Sequence, residues 1–115
     1  MKHLSLLALL ATPALADAPV VERATATHTG STWTIAVTLS HPDTGWDHYA
    51  DGWEVLDETG TRLGVRDLLH PHVTEQPFTR SLSGIAIPKG TGSIRIRARC
   101  QVDGWSDTTF EMPLP

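Results

Sequence analysis

The chain has 115 residues, with 9 Lys+Arg against 13 Asp+Glu and a formal net charge of −4. That acidic balance argues against nucleic acid or anionic lipid as a main partner, because both recruit basic surfaces. A single cysteine, Cys100, rules out a disulfide within the chain.

The N-terminus reads as an export signal. Met1-Lys2-His3 is a basic start, and Leu4 to Leu10 is an apolar run far too short to span a bilayer. Pro13 breaks the helical pattern, and Ala14-Leu15-Ala16 fits the small-x-small cleavage rule. Residues 1–16 are therefore expected to be a signal peptide and residues 17–115, 99 in number, the mature domain. Loss of Lys2 leaves eight basic against thirteen acidic side chains, a net −5. Asp17, not a cysteine, stands directly after the cut, so no lipid anchor is expected, and no later segment is apolar enough for membrane insertion. The expected location is a periplasm or the cell exterior. Without a disulfide in an oxidising compartment, core packing alone must hold the fold.

Short alternating runs follow, separated by turn residues, and helical periodicity is absent. Val20 to His28 is the first predicted strand. Thr32 to Ser40 is the clearest, with Trp33, Ile35, Val37 and Leu39 on one face and Thr34, Ala36 and Thr38 on the other. Gly52 to Asp57 and Thr61 to Leu69 make a hairpin around Glu58-Thr59-Gly60. Phe78 to Ile87, Ser93 to Gln101 and Thr108 to Leu114 complete the set. In the sixth strand Ile94, Ile96, Ala98 and Cys100 share the inward parity, so Cys100 defaults to a buried thiol. Arg95, Arg97 and Arg99 point outward, where Glu54 and Glu111 are candidate cross-strand partners. The predicted fold is all-β: one seven-stranded antiparallel β-sandwich.

Strand number, spacing and one tryptophan-bearing strand resemble an immunoglobulin-like or fibronectin type III-like domain, although the Cys…Trp…Cys pattern is missing. The run from Leu69 to Arg80, LHPHVTEQPFTR, resembles small uncharacterised exported bacterial proteins. That second resemblance implies no particular activity.

If consecutive strands alternate in direction, the loops His41–Asp51, His70–Pro77 and Val102–Asp107 share one end. That end then holds His41, His48, His70 and His72, together with Trp46, Asp47, Tyr49 and Trp105. His70-Pro71-His72 puts two imidazoles on one side of an extended segment, a spacing suited to a metal. His41 or His48 would be a third ligand, with Cys100 or a carboxylate such as Asp47 as a fourth. The plain alternative is a proline-shaped loop whose histidines cap backbone groups. Gly45-Trp46, Gly52-Trp53 and Gly104-Trp105 offer flat apolar faces that either anchor a partner or plug the sandwich end. Asp47 and Asp51 either act as paired carboxylates or satisfy their own loop.

No nucleophile elbow, Cys-x-x-Cys, phosphate loop or dinucleotide fingerprint is present, and the domain is small for an enzyme. The expectation is a non-enzymatic binding module. Its ligand would be a transition metal, copper or zinc, held by His70 and His72 with His41 or His48. The alternative is an adaptor for an exported or membrane protein, with Trp46, Tyr49 and Trp105 as anchors, Asp47 beside them, and histidines lending pH sensitivity.

Overall fold

Alternating burial along the strands builds two antiparallel sheets in the computed structural model, which describes residues 18–115. The expected signal peptide lies outside the described residues. The strands are β1 (Val20–Thr29), β2 (Thr32–Ser40), β3 (Ala50–Leu56), β4 (Arg62–Asp67), β5 (Phe78–Ile85), β6 (Ser93–Cys100), β7 (Gly104–Trp105) and β8 (Phe110–Pro113). One sheet has the order β1-β2-β5. The other runs β4-β3-β6-β7, and β8 also pairs with β6. All seven expected strands are found, and the two-residue β7 is an eighth. It pairs Trp105 with Arg99 and Gly104 with Cys100, a contact too short to leave an alternating pattern in the sequence.

The core lies between the sheets. Ile35, Val37 and Leu39 of β2 face Trp53 and Val55 of β3 and Ile94, Ile96 and Ala98 of β6. Each fully buried aliphatic side chain contributes about 1.5–3 kcal/mol relative to exposure. Trp53 is the largest of these buried side chains.

The outer face of the larger sheet carries charge. Glu54 is buried there because Arg62 and Arg97 each donate to one of its carboxylate oxygens, at 2.8 and 2.7 Å. Arg99 pairs with Asp51 at 2.8 Å and Asp67 at 3.3 Å. The Trp105 indole lies across this layer, 4.9–5.5 Å from the guanidinium carbons of Arg62, Arg97 and Arg99. Gly52 permits the arrangement, since a Cβ at that position would meet Arg99 Nη2 at 2.6 Å.

Strand direction sorts the connections into two kinds. Tight turns join β1 to β2 and β3 to β4 at one end. At the other end the β2–β3, β4–β5 and β6–β7 connections are bonded to one another. Gln101 N–H donates to the Tyr49 carbonyl at 2.9 Å, His41 N–H to Gln76 Oε1 at 2.9 Å, and His72 N–H to Asp43 Oδ2 at 2.8 Å.

Candidate metal centre

The β2–β3 connection is folded by its own backbone. His48 N–H donates to the Gly45 carbonyl at 3.1 Å, and Thr44 N–H donates to the His48 carbonyl at 2.9 Å. Gly45 has φ 151°, a conformation that a side chain would oppose. Trp46 and Asp47 occupy the tip of this turn, and the chain doubles back to set His48 beside His41. The two imidazoles meet edge to face, with centroids 4.8 Å apart. Register then supplies a third group. Ala50 pairs with Cys100 across β3 and β6, which brings the thiol to the base of the histidine pair.

One ligand atom from each of His41, His48 and Cys100 lies within 4.8 Å of the others. His41 and Cys100 are buried, and His48 is half-buried. Nε2 of both histidines is enclosed yet has no hydrogen-bond partner. An unpaired buried polar group costs about 1–3 kcal/mol, so two at one spot call for something to bind them.

The tautomer of His41 is fixed. Its Nδ1 lies 2.6 Å from Asp43 Oδ1, and both side chains are wholly buried. A carboxylate only accepts, so Nδ1 carries the proton and Nε2 presents its lone pair to the cluster. Asp43 Oδ1 also accepts from Ala50 N–H at 3.0 Å. A carboxylate behind a ligating imidazole is the arrangement that orients metal ligands and raises their basicity. The donors suit the ion: two neutral imidazoles and a soft thiolate match copper, zinc or iron. The residues present therefore fit a transition metal.

The other predicted residues take different places. His70 is exposed, with Nδ1 3.1 Å from the Pro71 carbonyl oxygen. His72 is buried, stacked on Phe78 at 3.8 Å, and its Nε2 accepts from Arg80 Nη2 at 2.8 Å. Burial lowers its pKa from the usual 6.5, helped by the charges of Arg80 and His70 and opposed by Glu75 and Asp43. The His70 and His72 rings are 4.5 Å apart, but both stand outside the three-donor group. Trp46 and Asp47 are exposed, and Trp46 meets Tyr49 edge to face at 5.7 Å. Trp105 turns away from the loop end, onto the arginine layer. Sequence reasoning placed Asp43 at this end of the sandwich but gave it no role, its only signal being the His-x-Asp spacing.

No protein-family model matches the sequence. A protein of Halomicrobium mukohataei that bears a lipoprotein name is 43% identical over 91 residues, which is 79% of this chain. The match covers only 44% of that relative, so the chain spans less than half its length. Among solved structures, hypothetical protein PH1083 from Pyrococcus horikoshii OT3 is similar with TM-score 0.55 at 17% identity, over 86% of this chain and 88% of that one. A superoxide reductase in its oxidised state is similar with TM-score 0.52, also at 17% identity, over 85% and 87%.

These findings correct three expectations. The immunoglobulin-like or fibronectin type III-like resemblance gives way to a sandwich shared with superoxide reductase and PH1083. Strand count and spacing are common to several sandwich lineages, so they could not separate them. The likeness of the Leu69–Arg80 run to small bacterial proteins likewise gives way to a much longer relative from Halomicrobium mukohataei. The expectation of a non-enzyme is overturned too. It rested on missing catalytic motifs and on small size, and a superoxide reductase is an enzyme built on this sandwich with 87% of its chain covered.

Proposed function

We propose that this chain is an exported protein whose sandwich holds one redox-active transition-metal ion, copper or iron, through His41 Nε2, His48 Nε2 and Cys100 Sγ. The observation that carries the reading is the pair of enclosed, partnerless Nε2 atoms beside a buried thiol, with Asp43 fixing one tautomer. Three protein donors leave a coordination position open, whereas structural zinc sites are closed by four. The half-buried His48 marks the side from which a small oxidant reaches that position. When bound, the ion supplies one-electron chemistry. The chain's own residues orient the imidazoles, keep the thiol from solvent and direct the Nδ1–H of His41 onto Asp43 Oδ1. Superoxide reductase shares the sandwich, so superoxide is the first oxidant to assay. The leader-like residues 1–16 and the lipoprotein name of the relative support export.

The test is metal titration of the reduced mature protein with Cu, Fe(II) and Zn, read by elemental analysis and absorbance. One equivalent of copper or iron is expected, with a thiolate-to-metal absorption band. Cys100→Ser removes the band, His41→Ala lowers affinity at least 100-fold, and the His70→Ala/His72→Ala double variant retains the ion. Uptake below about 0.2 equivalents of either copper or iron rejects the reading.

A further inference from the structure

We propose that the loop end surrounding these ligands is the docking face for a basic, one-electron carrier protein. The inference rests on the redox-centre reading above and adds the partner that serves it.

The placement of exposed apolar residues is the first support. Among the described residues, the exposed large hydrophobic side chains are Val20, Trp46, Leu69, Val73 and Val102. Four of the five stand in the three connections at the ligand end, 53% exposed at Val73 to 75% at Leu69. Single exposed apolar residues are ordinary, but concentration at one end of a molecule marks an interaction surface. The three connections are bonded to one another at Gln101–Tyr49, His41–Gln76 and His72–Asp43, so they present one surface and not three loose tips. Trp46 sits in the turn closed by the Gly45–His48 bridge, two residues from the half-buried ligand His48, and is braced edge-on by Tyr49. Tryptophan in such a position is a typical anchor of protein interfaces.

Charge chooses the occupant. Asp47, Glu75 and Asp103 are exposed within these connections, which contain no lysine or arginine of their own. Glu75 is paired with Arg80 of β5 at 3.7 Å, which leaves Asp47 and Asp103 as the margin's unpaired charges among the described residues. An apolar centre with an acidic margin complements a partner whose apolar contact patch is ringed by basic residues. The same margin repels an anionic bilayer. A partner seated there lies over His48, the ligand nearest solvent. One electron then passes from the reduced carrier to the oxidised centre. The carrier's redox group is oxidised by one electron and the protein's ion is reduced by one, with no bond made or broken.

The probe is a reduced, strongly basic c-type cytochrome mixed in stopped flow with the metal-loaded, oxidised protein. An acidic c-type cytochrome is the control. The expected bimolecular rate with the basic cytochrome falls at least tenfold between low salt and about 0.3 M, where the screening length is below about 8 Å and long-range steering is lost. The Asp47→Asn/Asp103→Asn variant is expected to slow the low-salt rate at least tenfold while its metal uptake stays at one equivalent. Asp103→Lys, a single change in an exposed turn, serves if the double variant misfolds and should slow the reaction similarly. Equal rates with the acidic cytochrome, or no effect of the charge variants, overturn the docking proposal. So does a Trp46-dependent fluorescence shift on zwitterionic vesicles with no cytochrome reaction. Failure to take up an ion is seen separately by elemental analysis and rejects the centre itself.

Discussion

His72 shows how burial decides the chemistry of a single side chain. Its ring is packed on Phe78 and accepts from Arg80, so a proton on Nε2 would face a guanidinium at 2.8 Å. Desolvation is the largest cause of its lowered pKa, and the Arg80 charge adds to it. The sign of the linkage follows. An unfolded chain binds a proton on this residue near pH 6.5, and the folded chain resists it. The stability His72 contributes is complete above pH 6.5 and declines as pH falls from there toward the folded value. The slope for one proton is at most about 1.4 kcal/mol per pH unit. Thermal melts of the metal-free protein from about pH 7.5 to 5.5 should therefore show a steeper loss in the wild type than in His72→Gln. Identical slopes would remove His72 as the cause.

At the scale of elements, Asp43 acts as a clasp between connections. It receives His41 Nδ1–H and Ala50 N–H on one oxygen and His72 N–H on the other, which ties the β2–β3 segment to the β4–β5 segment. Replacing Asp43 by Asn keeps the shape but weakens its acceptance from the imidazole. Metal affinity is expected to drop 10–100-fold, the usual cost of losing an outer-shell carboxylate. Competition titration against a chelator measures it, and unchanged affinity would show that His41 needs no carboxylate behind it. Much at this scale was legible beforehand. Period-two alternation located β2 and the inward face of β6, because sidedness is a local property of an extended chain. Alternating strand direction brought the histidine-bearing connections to one end. Which donors meet was not legible, because it depends on register between distant strands. Ala50 opposite Cys100 is a tertiary fact that no spacing within either strand encodes. His70-x-His72 illustrates the reverse case. Two rings of perfect local spacing stay 4.5 Å apart, yet Phe78 and Arg80 enclose one and leave the other in solvent, and neither reaches the three-donor group.

Across the whole molecule, the distribution of function is polar. Turns close one end, and charge-paired arginines armour one sheet, while donors, apolar tips and acidic residues gather at the opposite rim. If one ion joins the two ends of the β2–β3 connection to β6, its binding free energy is added to that of the fold. An ion at 100 times its dissociation constant stabilises by about 2.7 kcal/mol. For a domain of this size each kcal/mol raises the melting temperature by roughly 4–8 °C. Loading with the preferred ion should raise it by more than about 10 °C, and Cys100→Ser should abolish the gain. A loaded protein melting with its apo form would place the ion somewhere other than this seam. The seam also bears on the lone thiol. Cys100 is completely enclosed, and a sulfur shut away in this manner has no access to the sulfur of another copy. Covalent pairing between molecules is thereby denied by shape, even where the surroundings favour oxidation.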